Sequence, residues 1–173
     1  MRQLRYNVAT SLDGFIAGPG GEYDWIVPDP SFDFAALWDQ FDTLLMGRRT
    51  FEVAVKRFPS IEVMGKKVVV ASTTFKQYPG VTILSHNIPE AVAALKAEPG
   101  SQPGKDIWLM GGGELFRTLL DAGLVDTVEL SVIPILLSSG TPLISAGTRC
   151  PLRLDESTTL PNGTLVLRYT VMR

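Results

Sequence analysis

Two segments of this chain combine an apolar run, glycine and the start of a helix-forming stretch, and this combination favours phosphate binding. In the first, Gly47 follows Leu-Leu-Met and precedes Arg-Arg-Thr. In the second, three consecutive glycines, Gly111 to Gly113, follow Ile-Trp-Leu-Met. A glycine between a strand and a helix lets the backbone approach a ligand, and the helix N-terminus directs free N–H groups toward it. Two such junctions in one chain suit a nucleotide that carries a pyrophosphate.

Length, composition and charge are those of an ordinary globular protein. The 173 residues suit a single domain, 1–173, with 45% hydrophobic and 20% charged residues. The formal net charge of −2 gives no reason to expect nucleic acid or an anionic membrane as a partner. No apolar stretch has the ~20 residues of a membrane-spanning helix, and no secretory signal is recognisable. The one cysteine, Cys150, cannot form an internal disulfide, so we expect a cytoplasmic protein.

Apolar periodicity and turn residues predict alternating strands and helices over the first 122 residues. The predicted strands are 4–9, 43–46, 67–71, 81–84 and 106–110. The predicted helices are 32–41, capped by Ser31, 49–57, ended by Pro59, 89–97 and 114–122. Two longer strands, 125–134 and 164–172, follow without a helix between them. This order predicts an α/β fold with a mainly parallel sheet and an antiparallel portion near the C-terminus.

Several motifs, in their order along the chain, resemble those of the dihydrofolate reductase fold. They are SLDGFIA at 11–17, MGRRTFE at 46–52, VVVAST at 68–73 and MGGGELF at 110–116. The first motif is similar to the riboflavin-biosynthesis reductase branch, the C-terminal domain of the bifunctional deaminase-reductase. Residues 126–134 and 140–143 also match that branch. The resemblance implies a three-layer α/β/α domain and an NADPH-dependent reductase, with the aminouracil ribosyl phosphate of riboflavin synthesis as preferred substrate.

The resemblance also implies that NADPH lies across the carboxyl ends of the strands. Phosphate would meet the first junction, and the adenosine 2′-phosphate would meet hydroxyl groups after the third strand. The triple glycine would approach the pyrophosphate and the nicotinamide ribose. The implied cofactor-binding residues are Gly47, Arg48, Arg49, Thr50, Ser72, Thr73, Met110, Gly111, Gly112, Gly113, Glu114 and Leu115. The alternative from the residues alone is that the glycines form tight turns and the arginines are solvated.

Three residues are candidates for contact with the substrate. Asp33 lies one turn before Leu37, so it either lines the pocket and supplies a proton or is a solvated acid at a helix start. Asp13 lies in the loop that resembles the mobile lid near the nicotinamide, and it either touches substrate or shapes a turn with Gly14. Ser131 matches the strand position at which reductases of this type place a hydroxyl near the substrate.

The sequence leaves the substrate and the partners open. The deaminase part of the bifunctional enzyme needs a zinc site, and a single histidine, His86, with Cys150 cannot build one, so we expect no metal and a free-standing reductase domain. A phosphorylated sugar calls for converging cations, which are scattered in the sequence. Four aromatic residues form either a slot for a flat ring or plain core: Trp25, Phe34, Trp38 and Phe51. Dihydrofolate reduction and cofactor binding without turnover are the alternatives. We expect a homodimer, with the run 132–137 as either its interface or a buried central strand.

Overall fold

An eight-stranded sheet with helices on both faces organises the chain. The computed structural model describes residues 1–57, 65–101 and 103–173. The strands are β1 (Leu4–Ser11), β2 (Phe15–Ala17), β3 (Phe41–Gly47), β4 (Lys67–Ala71), β5 (Val81–Leu84), β6 (Asp106–Leu109), β7 (Thr127–Ile133), β8 (Thr141–Pro142), β9 (Leu152–Thr159) and β10 (Leu165–Val171). The helices are α1 (Phe34–Asp39), α2 (Arg48–Arg57), α3 (Ile88–Ala97) and α4 (Gly113–Asp121).

The strand order of the large sheet is β5-β4-β3-β6-β1-β7-β10-β9, and β2 pairs with β8 in a second, two-stranded sheet. The six strands from β5 to β7 are parallel, whereas β10 runs antiparallel to both β7 and β9. The expected α/β fold with a mostly parallel sheet and antiparallel C-terminal strands is therefore confirmed.

Side chains that alternate along the parallel strands form two cores, one on each face of the sheet. On one face, Tyr6 of β1 stacks on Phe116 of α4, and the same cluster includes Val92 of α3. On the other face, Trp108 of β6 packs with residues of β3 and α2, among them Phe51. The helices thus form an outer layer on each side, as the resemblance implies.

Most predicted elements are present, but the first helix is shorter than predicted. It begins at Phe34 instead of residue 32 because Asp33, not Ser31, is its N-cap and accepts a hydrogen bond from the Ala36 N–H at 2.9 Å. It ends at Asp39, since Phe41 already belongs to β3 and is buried against the sheet. The second helix begins at Arg48, and the predicted terminator Pro59 lies outside the described residues.

Three strands were missed by the sequence patterns. All eight residues of β9 are exposed, and its sequence LRLDESTT lacks the apolar alternation that would mark it as a strand. The strand exists because β10 provides a paired edge for it. The strands β2 and β8 have only three and two residues, too few for any period to be visible.

The sheet divides at the carboxyl ends of β1 and β6. These two strands pair only from Leu4↔Ile107 to Tyr6↔Leu109, and β1 then continues to Ser11 paired with β7 alone. The connection from β1 leads to β3 on one side, whereas the connection from β6 leads through α4 to β7 on the other. Ligands of open α/β sheets bind in the crevice at such a point of divergence. No helix in the described part of the chain is long and apolar enough to cross a membrane.

Candidate functional site

The two glycine junctions of the sequence are hydrogen-bonded to each other. The Gly47 N–H donates to the Gly111 carbonyl at 2.8 Å, and the Met110 N–H donates to the Leu45 carbonyl at 2.9 Å. A Cβ at Gly47 would lie 3.7 Å from the Gly112 nitrogen. The N-termini of α2 and α4 therefore lie side by side, where β1 and β6 diverge. We call this region the carboxyl-end cleft.

The three consecutive glycines have different surroundings. Gly111 has φ +115°, a value that favours glycine, and its missing side chain would lie 3.7 Å from Ile16 Cδ1 and 3.8 Å from Thr50 Oγ1. The peptide between Gly111 and Gly112 is cis. A Cβ at Gly113, in contrast, would lie 2.6 Å from the Pro142 carbonyl oxygen. Glycine is thus required at 113 by packing against the chain itself, whereas no such clash holds at Gly111, which is buried, or at Gly112, which is half-buried.

Some polar side chains near the first junction already have hydrogen-bond partners within the protein, and others do not. Arg48 Nη1 donates to Glu52 Oε1 at 2.8 Å, within one turn of α2. Arg49 is exposed and makes no hydrogen bond or ion pair with the described part of the chain. Ser72 Oγ accepts from the Phe75 N–H at 2.9 Å and lies 3.4 Å from Thr74 Oγ1, and Thr73 is exposed. Available donors are therefore Arg49, the remaining N–H groups of Arg48 and the Thr73 hydroxyl.

The remaining predicted cofactor contacts flank the triple glycine. Met110 is half-buried and packs against the core that contains Trp108. At the other end, Glu114 is an exposed acid in the first turn of α4, and Leu115 is half-buried against the opposite core. The N-cap of α4, Gly112, makes no side-chain capping bond, so the first N–H groups of this helix have no side-chain acceptor there.

Asp13 fastens the first loop to the segment that follows β7. Its Oδ2 accepts from the Ser138 N–H at 2.7 Å, and its Oδ1 accepts from Ser11 Oγ at 2.6 Å and from the Leu137 N–H at 3.1 Å. The Ser11 bond, together with the two backbone bonds, holds the pKa of the Asp13 carboxyl below its ordinary value. These contacts join Asp13 to a distant segment rather than forming a turn with Gly14, and they leave it ionised.

The first loop is joined to the same segment by backbone contacts as well. The Leu12 N–H donates to the Ile135 carbonyl at 2.9 Å, and the Leu143 N–H donates to the Gly14 carbonyl at 2.8 Å. The short strands β2 and β8 pair beyond these bonds. A Cβ at Gly140 would collide with the Ala17 carbonyl oxygen. The loop that resembles a mobile lid is thus hydrogen-bonded along its length in this structure.

The acids around α1 already have hydrogen-bond or ion-pair partners. Asp33 is exposed and is the N-cap of α1. This position corresponds to the second alternative, a solvated acid at the start of a helix. Asp39 is 83% exposed and pairs with Lys105 at 2.9 Å. Asp29 accepts from the Ser31 hydroxyl at 2.7 Å and from the Asn162 N–H at 3.0 Å, which ties this segment to the β9–β10 turn. The Asp33 carboxylate is therefore already used in the cap of α1.

The floor of the carboxyl-end cleft is formed by β1 and β7 on the face that carries α1. Register places Asn7 beside Glu129 and Ala9 beside Ser131, and we call these four residues the cleft floor. Their face is that of Arg5, whose guanidinium carbon lies 4.6 Å from the centre of the Phe41 ring. Ser131 is half-buried, and its hydroxyl makes no hydrogen bond with the described residues. Of the three candidates, only Ser131 has a free polar group on this floor.

A buried ion pair supports the cleft floor. Arg5 donates from Nε and Nη2 to the two oxygens of Glu129 at 2.7 and 2.8 Å, and both residues are nearly inaccessible. Thr127 and Asn7 add hydrogen bonds to the same carboxylate at 2.8 and 2.9 Å. Burial alone would raise the pKa of Glu129, but the bonds from Arg5, Thr127 and Asn7 outweigh it and hold the pKa below its ordinary value. Glu129 is therefore an anchor and not a proton donor.

Aromatic side chains stand beside this floor. Trp108 packs against Phe34 and Trp38 of α1, with ring centroids 6.1 and 5.8 Å apart, and its Nε1 donates to the Asn7 carbonyl at 2.7 Å. Phe34 is 54% exposed, so α1 presents apolar surface next to the cleft. Phe51 is fully buried core instead, and Trp25 is bonded through Nε1 to the Glu22 carbonyl. The predicted aromatic slot is thus reduced to the α1 side.

The geometry fits the pyrophosphate of a dinucleotide at the carboxyl-end cleft. A Cβ at Gly111 or Gly112 would have ordinary contacts only, Gly112 is half-buried, and two helices begin there. Arg49 supplies a free cation at the same edge. Among the described residues, no group of three or more His, Cys, Asp or Glu side chains is placed to hold a metal ion.

The sequence model of the RibD C-terminal domain family matches residues 2–166. The chain belongs to this family. Protein YyaP of Bacillus subtilis (strain 168) is 36% identical over 181 residues, which cover 97% of this chain and 94% of YyaP. Membership confirms the resemblance that the motifs carried.

Solved structures agree with this assignment. A putative riboflavin biosynthesis protein from Shewanella sp. PV-4 is 28% identical, has a TM-score of 0.81, and both chains are covered completely. The deaminase/5-amino-6-(5-phosphoribosylamino)uracil reductase of Thermotoga maritima has a TM-score of 0.70 at 15% identity, over 99% of this chain and 57% of that one. Dihydrofolate reductase from Enterococcus faecalis, solved with NADP(H), has a TM-score of 0.71 at 18% identity, over 99% of this chain and 97% of that one. The last two establish the shared fold.

The sequence patterns identified Ser131 of the cleft floor in this RibD C-terminal domain but missed the network formed by Arg5, Asn7 and Glu129. Arg5 and Asn7 lie in the first strand between buried or half-buried residues, and Glu129 lies between Val128 and Leu130 in β7. A charged residue inside a buried strand needs a partner of opposite charge. That rule, applied to Arg5 and Glu129 together, would have paired them before the structure was known.

Proposed function

We propose that this RibD C-terminal domain is an NADPH-dependent reductase that transfers hydride to a small heterocyclic or ribosylamino-pyrimidine substrate. The observation that carries the proposal is the bond between the Gly47 N–H and the Gly111 carbonyl, which brings two glycine–helix junctions to one edge of the sheet. A dinucleotide has two phosphates to place, and two adjacent helix N-termini that begin with glycine junctions suit them. Family membership supports the same reaction class.

In this proposal each part of the chain has a limited task, because the cofactor supplies the hydride when it is bound. Gly111, Gly112 and Arg49 hold phosphate, and the hydroxyls of Ser72 and Thr73 meet the adenosine 2′-phosphate. Ser131 and the α1 aromatic residues orient the substrate ring above the cleft floor. The bonded first loop covers the reacting atoms and excludes water. The preference for NADPH over NADH comes from Arg49 and the two hydroxyls.

The preferred substrate is 5-amino-6-(5-phosphoribosylamino)uracil, the one named for the Thermotoga maritima reductase. Reduction of dihydrofolate is the enzymatic alternative, and it requires an acid that can reach the ring. Asp33 is exposed at a helix cap, and Glu129 already accepts from Arg5, Asn7 and Thr127. This arrangement favours the pyrimidine over the pterin. Nucleotide binding without turnover is the alternative from another class.

We also propose a cytoplasmic homodimer. Within the run 132–137, Ile133 is buried in β7 between β1 and β10, whereas Leu136 is 67% exposed. The start of the run 132–137 is therefore a buried central strand. Only the later part of the run is exposed and can form a dimer interface. Sedimentation of the wild type and of Leu136→Ser tests the assignment: a dimer that this substitution dissociates supports it, and an unchanged dimer places the interface elsewhere.

The function is tested by following NADPH consumption with the purified protein and a panel of acceptors. The panel contains 5-amino-6-(5-phosphoribosylamino)uracil and dihydrofolate, each assayed with NADPH and with NADH. Turnover of the pyrimidine with NADPH, above that of dihydrofolate, is the expected result. Faster turnover of dihydrofolate supports the second candidate. Tight binding of NADPH without consumption on any acceptor favours the non-catalytic alternative.

A further inference from the structure

Asn7 uses the two ends of its side-chain amide differently. Its Nδ2 donates to Glu129 Oε2 at 2.9 Å, as part of the network around the buried Arg5–Glu129 pair. No hydrogen bond from the described residues reaches its Oδ1, and the side chain is only half-buried. Asn7 therefore presents one unused acceptor at the floor of the cleft.

The orientation of this amide follows from the charge of its neighbour. An ionised carboxylate only accepts hydrogen bonds, so the nitrogen end of an amide, not the oxygen end, must face it. Glu129 is kept ionised by Arg5, which is itself buried and bonded through both Nε and Nη2. A flipped amide would set oxygen against oxygen beside a buried anion. Glu129 is thus the positioning residue that turns the Asn7 oxygen away from itself.

The position of Asn7 gives this acceptor access to a ligand. Asn7 is the first residue of β1 beyond the paired stretch with β6, which ends at Tyr6↔Leu109. The Trp108 indole reaches across this gap to the Asn7 carbonyl. One row further along the floor lies Ser131, whose hydroxyl is also unpaired with any described group. The two free polar groups of the floor are therefore an oriented acceptor and a hydroxyl that adapts to either role.

We infer that Asn7 selects the substrate ring, and this inference rests on the proposed reductase function. The ring it accepts carries an N–H or amino donor on the edge that faces the floor, and Asn7 Oδ1 receives that hydrogen bond. A flat ring with acceptors only would leave Asn7 Oδ1 facing another oxygen, which is unfavourable in a partly buried site. The site thus selects amino- or N–H-bearing heterocycles among rings of similar shape.

The test compares two small pyrimidine rings as binding probes, 5,6-diaminouracil with donors on its edge and 1,3-dimethyluracil without N–H groups. Binding is measured by titration calorimetry on the full chain, with and without saturating NADPH. We expect the wild type to bind 5,6-diaminouracil about tenfold more tightly, the effect of one partly buried hydrogen bond. In Asn7→Ala the two affinities become equal, while NADPH affinity is unchanged.

Thr127→Val is the matched control, because it removes another donor to Glu129 and leaves Asn7 in place. If Asn7 contacts the ring directly, Thr127→Val still binds 5,6-diaminouracil more tightly than 1,3-dimethyluracil. If the preference depends only on the intact hydrogen-bond network around Glu129, Thr127→Val binds the two rings equally. Equal binding of the two probes to the wild type, or no binding of 5,6-diaminouracil, overturns the inference. Absence of NADPH binding refutes the reductase function instead, and the probe comparison without cofactor still decides the role of Asn7.

Discussion

The Gly47 N–H lies 2.8 Å from the Gly111 carbonyl oxygen, and this bond joins two glycine motifs that are 64 positions apart in the chain. Parallel strands bring their carboxyl ends to the same edge of a sheet, so the motifs that follow β3 and β6 become neighbours. Their separate helix N-termini thereby form one site. The glycines around this bond nevertheless serve two different purposes, and substitution can separate them.

We expect Gly113→Ala to destabilise the fold and Gly47→Ala to spare it. A Cβ at 113 would lie 2.6 Å from the Pro142 carbonyl oxygen, so backbone must move, at a cost of about 1–3 kcal/mol. At 47 the nearest atom is at 3.7 Å, an ordinary contact, and the added methyl group would instead occupy the phosphate approach. Chemical unfolding and NADPH titration of both variants measure the difference. Equal stability of the two would refute the packing role of Gly113.

We expect Asp33 to stabilise α1 as its N-cap and not to donate a proton to the substrate. Asp33→Ala removes the bond to the Ala36 N–H and lowers the free energy of unfolding by about 1 kcal/mol. Asp33→Ser keeps a capping oxygen and restores most of that stability. If Asp33 donates the proton, Asp33→Ser remains inactive although it is stable. Steady-state turnover of the two variants, beside their unfolding curves, decides between cap and acid.

Asp13 is expected to control how firmly the first loop is held. Asp13→Ala removes the acceptor of the Leu137 and Ser138 N–H groups, so hydrogen exchange at these two amides becomes faster. Asp24→Ala, an exposed acid of the same connection, serves as control and leaves both amides unchanged. Unchanged exchange in Asp13→Ala would mean that the backbone bonds between the loop and its neighbours are sufficient.

Stability should fall in acid through Glu129. Its pKa in the folded protein lies below the ordinary value of 4.5, so the unfolded chain takes up the proton first as the pH falls. The stabilisation is fully present above that value and is lost as the pH drops through the folded-state pKa. Unfolding free energies measured from neutral pH downward should show a steeper decline in the wild type than in Glu129→Gln. Parallel curves would contradict the assignment.

The sequence was sufficient for the fold and for the edge of the sheet at which the site lies, because both depend on local patterns. Apolar runs ending in glycine marked β3 and β6, and strand–helix alternation implied a parallel sheet. The role of Asp33 was not decidable, since helical spacing places a residue on a face only when the start of the helix is known. That start shifted by two residues when Asp33 replaced Ser31 as the cap.

The polar floor and the bonded first loop depend on contacts distant in sequence. Arg5 and Glu129 meet because β1 and β7 are adjacent, although they are 124 positions apart. Asp13 reaches Ser138 across a similar separation. No periodicity within either segment encodes such a pair. Asn7 acquires its unused acceptor only from this arrangement, so its role became visible with the structure.

Titration with NADPH and NADH measures whether the joined glycine motifs bind the cofactor. The quenching of tryptophan fluorescence is a suitable signal, since Trp108 lies in β6 just before Met110 and Gly111. Arg49→Ala is the informative variant, and Arg153→Ala on the exposed strand β9 is its control. We predict tight binding of NADPH, at least about tenfold weaker binding of NADH, and loss of this preference in Arg49→Ala alone. Absence of binding by either nucleotide would contradict this prediction.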